Sequence, residues 1–342
     1  MIDLLFRTLT RTLILGTLLF SATNAAAETV AVRFTLDWKI QGVHAPFYLA
    51  QQRGYFADQG LDVTIDQGEG SAATVSRVLS GAYDAGFGDM NAIIQTAAKS
   101  PDRAPVMVYQ IYNQPPFAVL TTADGPTESV ADFPGHTFGG PAGSAATKLF
   151  PAMLEASDIN PDSVSITNVA PQLQEQLLNR GDVDAALVFN VTSYMNLVSQ
   201  GRDPQADYRW FAYGDHGLDI YSNGVMVSQA MIADHPEAVE GLVKAINHAM
   251  QDIIQDPDAG IAAVKQREAF IDADAERKRL DYAMTHLIVS DESREIGIGD
   301  VSTQRLSRSI DTIADLYDLE SKPLAETVFT DRFLPPRDQR LP

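Results

Sequence analysis

The stretch Thr35-Leu-Asp-Trp-Lys-Ile-Gln-Gly-Val-His-Ala-Pro-Phe-Tyr-Leu-Ala50 decides how the chain is read. Just before it, Val30, Val32 and Phe34 alternate with Thr29, Ala31 and Arg33, the two-residue period of a half-buried strand. The strand gives out at Asp37-Trp38 and a polar segment with Gly42 follows. Ala45 to Arg53 then reads as a helix that tolerates Pro46 in its first turn and stops at Gly54. Trp38, His44, Phe47 and Tyr48 therefore crowd one strand-to-helix turn. In open α/β sheets, ligands bind beyond the carboxyl ends of strands, beside helix N-termini. Aromatic faces with one imidazole suit a flat polar molecule better than a metal ion or a phosphate.

Working outward, Leu61 to Ile65 alternates as a second strand. Gly68-Glu-Gly70 is a turn, and Ser71 is placed to cap a helix from Ala72 to Leu79. Asp84 to Gly88 is a short strand; Asp89-Met-Asn91 opens another helix, and Val106 to Ile111 is again a strand. A second set of elements begins near Val130: His136 to Phe138, a helix Ala145 to Ala156 capped by Ser144, a strand Ser163 to Val169, a helix Gln172 to Asn179, a strand Asp184 to Phe189, a helix Val191 to Val198 and a strand Tyr208 to Tyr213. The two sets align when Gly81 is laid on Gly181, which brings Asp84 onto Asp184 and Ala85 onto Ala185. Both sites read helix, Gly-x-x-Asp-Ala, apolar strand, polar opening, helix. Two lobes of similar topology are expected, with strand ends near Gly88-Asp89 and Phe189-Asn190 facing a shared cleft.

Two crossovers, Asn113 to Asp124 and Gly214 to Asn223, would carry the chain out to lobe two and back. The expected division is a signal peptide at 1–27, a discontinuous lobe one at 28–116 and 220–330, lobe two at 117–219, and a frayed tail at 331–342. Tyr221 to Val227 would rejoin lobe one as a strand. Asp234 to Glu237 is a capping-box candidate, and the next helix puts Val239, Leu242, Val243, Ile246, Met250 and Ile253 on one face.

The 342 residues, 45% hydrophobic and 20% charged, suffice for two cores. The formal charge of −20 argues against nucleic acid, whose phosphates demand basic surface. Arg7 and Arg11, the apolar run Leu13 to Phe20 and Ala25-Ala-Ala27 form a secretory signal cut near Glu28; the alternative is an N-terminal membrane anchor. The sequence has no cysteine, so disulfides, thiolate catalysis, Cys-metal sites and a lipid-attachment cysteine are absent. Its six histidines are scattered, and no His-Glu-x-x-His, Gly-x-Ser-x-Gly or P-loop pattern occurs. A freely soluble periplasmic protein without metal or cofactor is expected.

Leu36-Asp-Trp38, His44-Ala-Pro-x-Tyr48, Gly54-Tyr-Phe56, Gly60-Leu-Asp-Val63 and the Gly86-x-Gly-Asp89 strand end resemble the solute-binding proteins of ABC importers. The branch is the one that holds the thiamine-pyrimidine precursor binders and the sulfonate, taurine and nitrate binders. The resemblance covers nearly the whole chain after the signal segment. Gly-Tyr-Phe and Gly-Leu-Asp-Val mark the broad family; Leu-Asp-Trp with His-Ala-Pro leans toward the pyrimidine-binding members. It implies an α/β fold of two lobes, of the periplasmic binding protein type II, closing on a ligand that is then delivered to a membrane permease. The family also holds a cytoplasmic thiamine-pyrimidine synthase that relies on a cysteine-rich segment and iron, from which this cysteine-free chain with a signal sequence departs.

The expected cargo is a small, flat, polar heterocycle such as a pyrimidine thiamine precursor, bound by a monomer that is not an enzyme. Candidate contacts are Trp38 for stacking, and His44 as a hydrogen-bond donor or else a brace of its own loop. Tyr48 or Phe47 is also a candidate, since their directions on a helix differ by about 100° and only one can face the cleft. Asp89 is either a contact or a helix cap. Asn91, Asn190, Tyr221, Asn223 and Ser144 complete the set, Ser144 lying at a helix start that in anion-binding relatives holds sulfonate or carboxylate. Three alternatives stand beside this reading: a sulfonate, nitrate or carboxylate receptor, against which only Lys39 and Lys148 offer positive charge; an enzyme acting on a heterocycle with His44 as base; and a ligand sensor that docks to a membrane receptor.

Overall fold

The computed structural model describes residues 29–342; the signal peptide expected at 1–27 lies outside the described residues. Nine strands appear before the chain returns: β1 (Val30–Thr35), β2 (Leu61–Asp66), β3 (Ala85–Asp89), β4 (Val106–Gln110), β5 (Phe117–Thr122), β6 (Thr137–Gly140), β7 (Ser165–Asn168), β8 (Ala185–Phe189) and β9 (Tyr208–Ala212); β10 (Asn223–Val227) follows. They form two five-stranded sheets, ordered β2-β1-β3-β10-β4 and β7-β6-β8-β5-β9. In the first, β1 is parallel to β2 and β3, and β10 runs antiparallel between β3 and β4. In the second, β6 is parallel to β7 and β8, and β5 runs antiparallel between β8 and β9. The sheets thus share one topology. The chain passes between them twice, at 111–116 and 213–222. The first passage is shorter than the expected Asn113 to Asp124, because Phe117–Thr122 is itself a strand of the second sheet.

The hundred-residue repeat has a physical basis. Gly81 and Gly181 both close a helix with φ of 74°, a left-handed conformation that costs a residue with Cβ about 1–2 kcal/mol. Asp84 then accepts a hydrogen bond from the Arg33 backbone N–H of β1 at 2.8 Å, and Asp184 accepts from Thr137 N–H of β6, also at 2.8 Å. Each aspartate pins its helix-to-strand turn to the neighbouring parallel strand, and the strands pair in the same register in both lobes.

The apolar face of helix Pro236–Gln255 is buried as its spacing requires: Val239, Leu242, Val243, Ile246, Met250 and Ile253 are all 0% exposed. At about 1.5–3 kcal/mol per fully buried aliphatic side chain, this face anchors the C-terminal helices to the first sheet. The Asp234–Glu237 capping box does not form; Pro236 opens the helix after His235, whose side chain makes no capping bond. The tail is not frayed. Arg340 is buried and donates to Pro335 O, Ile298 O and Asp300 Oδ2, while Phe333 packs into the core.

Candidate functional site

Between the two sheets lies a narrow cleft lined by Asp37, Trp38, Ser71, Ser144, Gln174, Phe189, Thr192 and Ser193. Each residue sits where strand gives way to helix. Asp37 and Trp38 follow β1, and Ser71 opens the helix after β2. Ser144 precedes the helix after β6, Gln174 begins the helix after β7, and Phe189 ends β8 ahead of Thr192 and Ser193. The site therefore lies at the carboxyl ends of parallel strands from both lobes. Trp38 and Phe189, both half-buried, supply aromatic surface from opposite lobes, with three hydroxyl-bearing serines, a threonine, an amide and a carboxylate between them.

Asp37 is fixed from behind. Its Oδ1 lies 2.8 Å from His44 Nε2, and its Oδ2 accepts from Asn223 Nδ2 at 2.8 Å. The Gln41 backbone N–H donates to His44 Nδ1 at 3.3 Å, so that nitrogen carries no proton and His44 is the neutral Nε2–H tautomer. His44 is 0% exposed and both ring nitrogens are engaged. It braces the loop and orients Asp37; it does not reach the cleft as a donor or a base. Asn223, also 0% exposed, plays the same supporting part.

The other expected contacts lie elsewhere. Tyr48 is 3% exposed in the helix behind the loop, and burial pushes its hydroxyl up to about 12; Phe47 packs on Phe34 and Phe87 in the core. Neither faces the cleft. Asp89 is a helix cap, accepting from Ala92 N–H at 3.0 Å, and burial raises its carboxyl to about 6. Asn91 donates to Asp89 Oδ1 and to Tyr221 O. The Tyr221 hydroxyl is held by Glu292 and Ser302, with the Arg305 guanidinium 4.3 Å over its ring. Asn190 turns its Oδ1 onto the N–H of Val191. Of the nine candidates, Trp38 and Ser144 line the cleft. Ser144 stands at the N-cap position without making a capping bond; the Ala145 N–H is instead met by Ser71 Oγ from the other lobe, at 3.2 Å. Ser71 is thus no cap of its own helix, which begins at Ser71 behind Gly70.

The lobes touch on both sides of the cleft. Gly70 and Gly143 meet backbone to backbone, and a Cβ on Gly70 would lie 2.0 Å from Gly143 O. On the other side Arg279, in helix Ala273–Ala283, is 4% exposed and donates across the gap to Val191 O at 3.0 Å, Thr192 O at 2.7 Å and Asn196 Oδ1 at 3.1 Å. Its remaining donors pair with Glu276, whose Oε2 also accepts from Gly42 N–H in the loop after β1. Tyr282 stacks on Tyr194 across the same boundary, ring centroids 5.4 Å apart. Arg279 thereby ties the Trp38 loop to the helix that carries Thr192 and Ser193. This is a closed arrangement. The charge of −20 and the scattered histidines gave no hint of it, because the latch joins residues 88 apart in sequence.

Among the described residues, no helix is long and apolar enough to cross a membrane, and no group of three or more His, Asp or Glu is placed to hold a metal ion.

The profile of the NMT1/THI5 like family matches residues 41–260. A formylaminopyrimidine-binding protein of Halalkalibacterium halodurans is 27% identical over 240 residues, covering 70% of this chain and 70% of its own. A 4-amino-5-hydroxymethyl-2-methylpyrimidine phosphate synthase of Schizosaccharomyces pombe is 23% identical, covering 67% of each chain. In fold, the chain is similar to the alkanesulfonate-binding protein SsuA of Xanthomonas axonopodis pv. citri bound to MOPS, with a TM-score of 0.68 at 17% identity over 89% of this chain and 99% of that one.

Proposed function

This chain belongs to the NMT1/THI5-like family, and we propose that it is the extracytoplasmic solute-binding protein of an ABC importer, taking up a small flat polar heterocycle of the pyrimidine thiamine-precursor kind. The observation that carries the reading is the cleft: aromatic side chains Trp38 and Phe189 enter it from opposite lobes, polar groups fill the space between, and the lobes are latched around it. The relative named for formylaminopyrimidine supports the ligand class, and the fold neighbour supports the receptor role. Closure would exclude water and present both lobes to a permease. The receptor acts as a monomer in the periplasm, released from its signal segment.

A synthase reading is disfavoured by the site itself. The one histidine near the cleft is buried with both nitrogens committed, and the sequence offers no cysteine. Thermal-shift and calorimetric screening of the purified protein against pyrimidines, flavins, aromatic acids and sulfonates tests the proposal. A pyrimidine at about 100 times its dissociation constant should add roughly 2.7 kcal/mol of stability, and chromatography should return it chemically unchanged. Turnover of the heterocycle, or stabilisation by sulfonates alone, would sink the reading.

A further inference from the structure

The two crossovers are held by a different lobe at each end. On the lobe-one side they pair with each other: the Tyr112 N–H donates to Asn223 O at 2.7 Å, and the Ser222 N–H donates to Tyr112 O at 3.3 Å. The Gln114 N–H donates to Leu287 O, among the C-terminal helices, at 3.0 Å. On the lobe-two side Pro116 O accepts from the Asn190 N–H at 2.8 Å, and the Tyr213 hydroxyl donates to Ala146 O at 2.8 Å. Gly217, left-handed at φ 90°, lies against helix Ala145–Ala156, where a Cβ would come 3.1 Å from Ala156 Cβ. The two anchorages therefore meet at Pro115 in the first crossover and at Leu218 in the second.

One guanidinium reaches both crossovers on the lobe-one side. Arg305 is 5% exposed and stands in the first turn of helix Thr303–Leu316, whose Leu306, Ile310 and Ile313 are buried. Its Nη1 donates to Asn113 Oδ1 at 3.2 Å in the first crossover. Its Nη2 donates to Asp219 Oδ1 at 2.9 Å in the second, where the guanidinium also covers the Tyr221 ring. Glu292 stands 3.7 Å from the same guanidinium and accepts from Asn113 Nδ2 at 3.0 Å and from the Tyr221 hydroxyl. A buried guanidinium fixes the groups around it, because stranding its donors is costly and its planar fork holds two chains at a set separation. None of these residues lines the cleft.

We infer that Arg305 is a positioning residue of the hinge: it clamps the lobe-one halves of both crossovers to helix Thr303–Leu316, so that the lobes turn at Pro115 and Leu218. A clamp on both chains makes the two joints turn together, which returns Arg279 to the carbonyls of Val191 and Thr192 at each closure. The inference rests on lobe closure being the receptor's mode of action, and it holds whichever ligand fills the cleft.

The test is made on the mature protein. The chain has no cysteine, so cysteines introduced at Thr64 and Thr167, exposed on β2 and β7, carry spin labels that report the interlobe distance. In the ligand-free protein, Arg305→Gln should broaden that distance distribution. Hydrogen exchange at Tyr112, Gln114 and Ser222 should speed up by about tenfold or more, the size expected from losing a hydrogen bond to a charged group, while β1 exchanges as before. An unchanged distribution, or exchange that speeds up by one factor throughout lobe one, would make Arg305 a merely structural residue and leave closure standing. Should Arg305→Gln fail to fold by circular dichroism, Asp219→Ala decides by the same width: its side chain is 68% exposed, so removing it opens one arm of the clamp without burying a loose charge. A wild-type distance that stays put while calorimetry shows 4-amino-2,5-dimethylpyrimidine bound would overturn closure and the hinge together.

Discussion

Arg279→Lys separates what closes the lobes from what holds them together internally. The guanidinium makes three hydrogen bonds across the gap, to Val191 O, Thr192 O and Asn196 Oδ1, and two to Glu276 within its own helix. Lysine keeps the charge beside Glu276 and much of the buried stem, but its compact ammonium cannot fork to three acceptors. Two cross-lobe bonds are therefore lost. At about 0.5–1.5 kcal/mol each, the closed state loses about 2 kcal/mol relative to the open one. Because only the closed state grips the ligand, the apparent affinity should fall by about 30-fold. An open, ligand-free state would make none of the cross-lobe bonds, so the melting temperature of the free protein should move little. Calorimetry gives the affinity, and small-angle scattering with and without ligand gives the closure. An unchanged dissociation constant, or a loss of melting temperature in the free protein as large as the loss of affinity, would refute the assignment of Arg279 as a closing latch. Arg279→Ala is the poorer experiment, since stranding Glu276 costs about 3–5 kcal/mol of folding stability on its own.

Gly143→Ala places a Cβ 3.0 Å from Glu69 O and 3.1 Å from Ala73 Cβ, both in the other lobe; overpacking of this kind costs about 1–3 kcal/mol, so ligand affinity should fall by calorimetry while the ligand-free melting temperature holds. Trp38→Ala should weaken binding by about 1–3 kcal/mol, the range found for base–aromatic stacking. Trp38→Phe should recover much of that, and an unfolded Trp38→Ala would make Trp38 a core residue instead. The folded-state pKa of Asp89, raised to about 6 by burial, lies above the usual carboxylate value, so its contribution to stability is full below about pH 4 and is lost as pH rises to about 6, an effect of about 3 kcal/mol. Asp89→Asn, which still caps the helix, should flatten that part of the urea-denaturation profile; an unchanged slope would show that Asp89 is not the group responsible.

The fold was legible because it is written in local signals. Alternation in Val30 to Phe34 and Leu61 to Ile65 gave strands, and Gly81 and Gly181 marked equivalent turns whose aspartates hold equivalent backbone donors. The site was legible only in part. The candidate cleft's address beyond the strand ends was clear, and Trp38, after β1, and Ser144, after β6, line it. His44 and Asn223 were drawn to the same spot by chemistry, but they face Asp37 from behind, and periodicity carries no information on which side of a loop a side chain lies. Phe189 was visible as a strand end, yet the polar Asn190 beside it drew the assignment, whereas the structure turns Asn190 onto its own helix. Gln174 looked like any helix residue, and nothing local shows that its amide reaches Leu187 O on β8. Contacts made by one lobe on the other, such as Ser71 to Ala145 or Arg279 to Val191, leave no periodic trace because the partners are set by closure, not by sequence neighbours.

The most direct test of the cleft as a heterocycle site uses the protein's own optics. The sequence has two tryptophans, Trp38 in the cleft and Trp210 on β9, whose indole N–H is held by Pro204 O. With Trp210 replaced by Phe, the emission reports Trp38 alone. Titration with 4-amino-2,5-dimethylpyrimidine should change that emission in a saturable, one-to-one manner, with the dissociation constant found by calorimetry. A calorimetric binding isotherm that leaves the Trp38 emission unaltered would place the ligand outside the cleft and contradict the account.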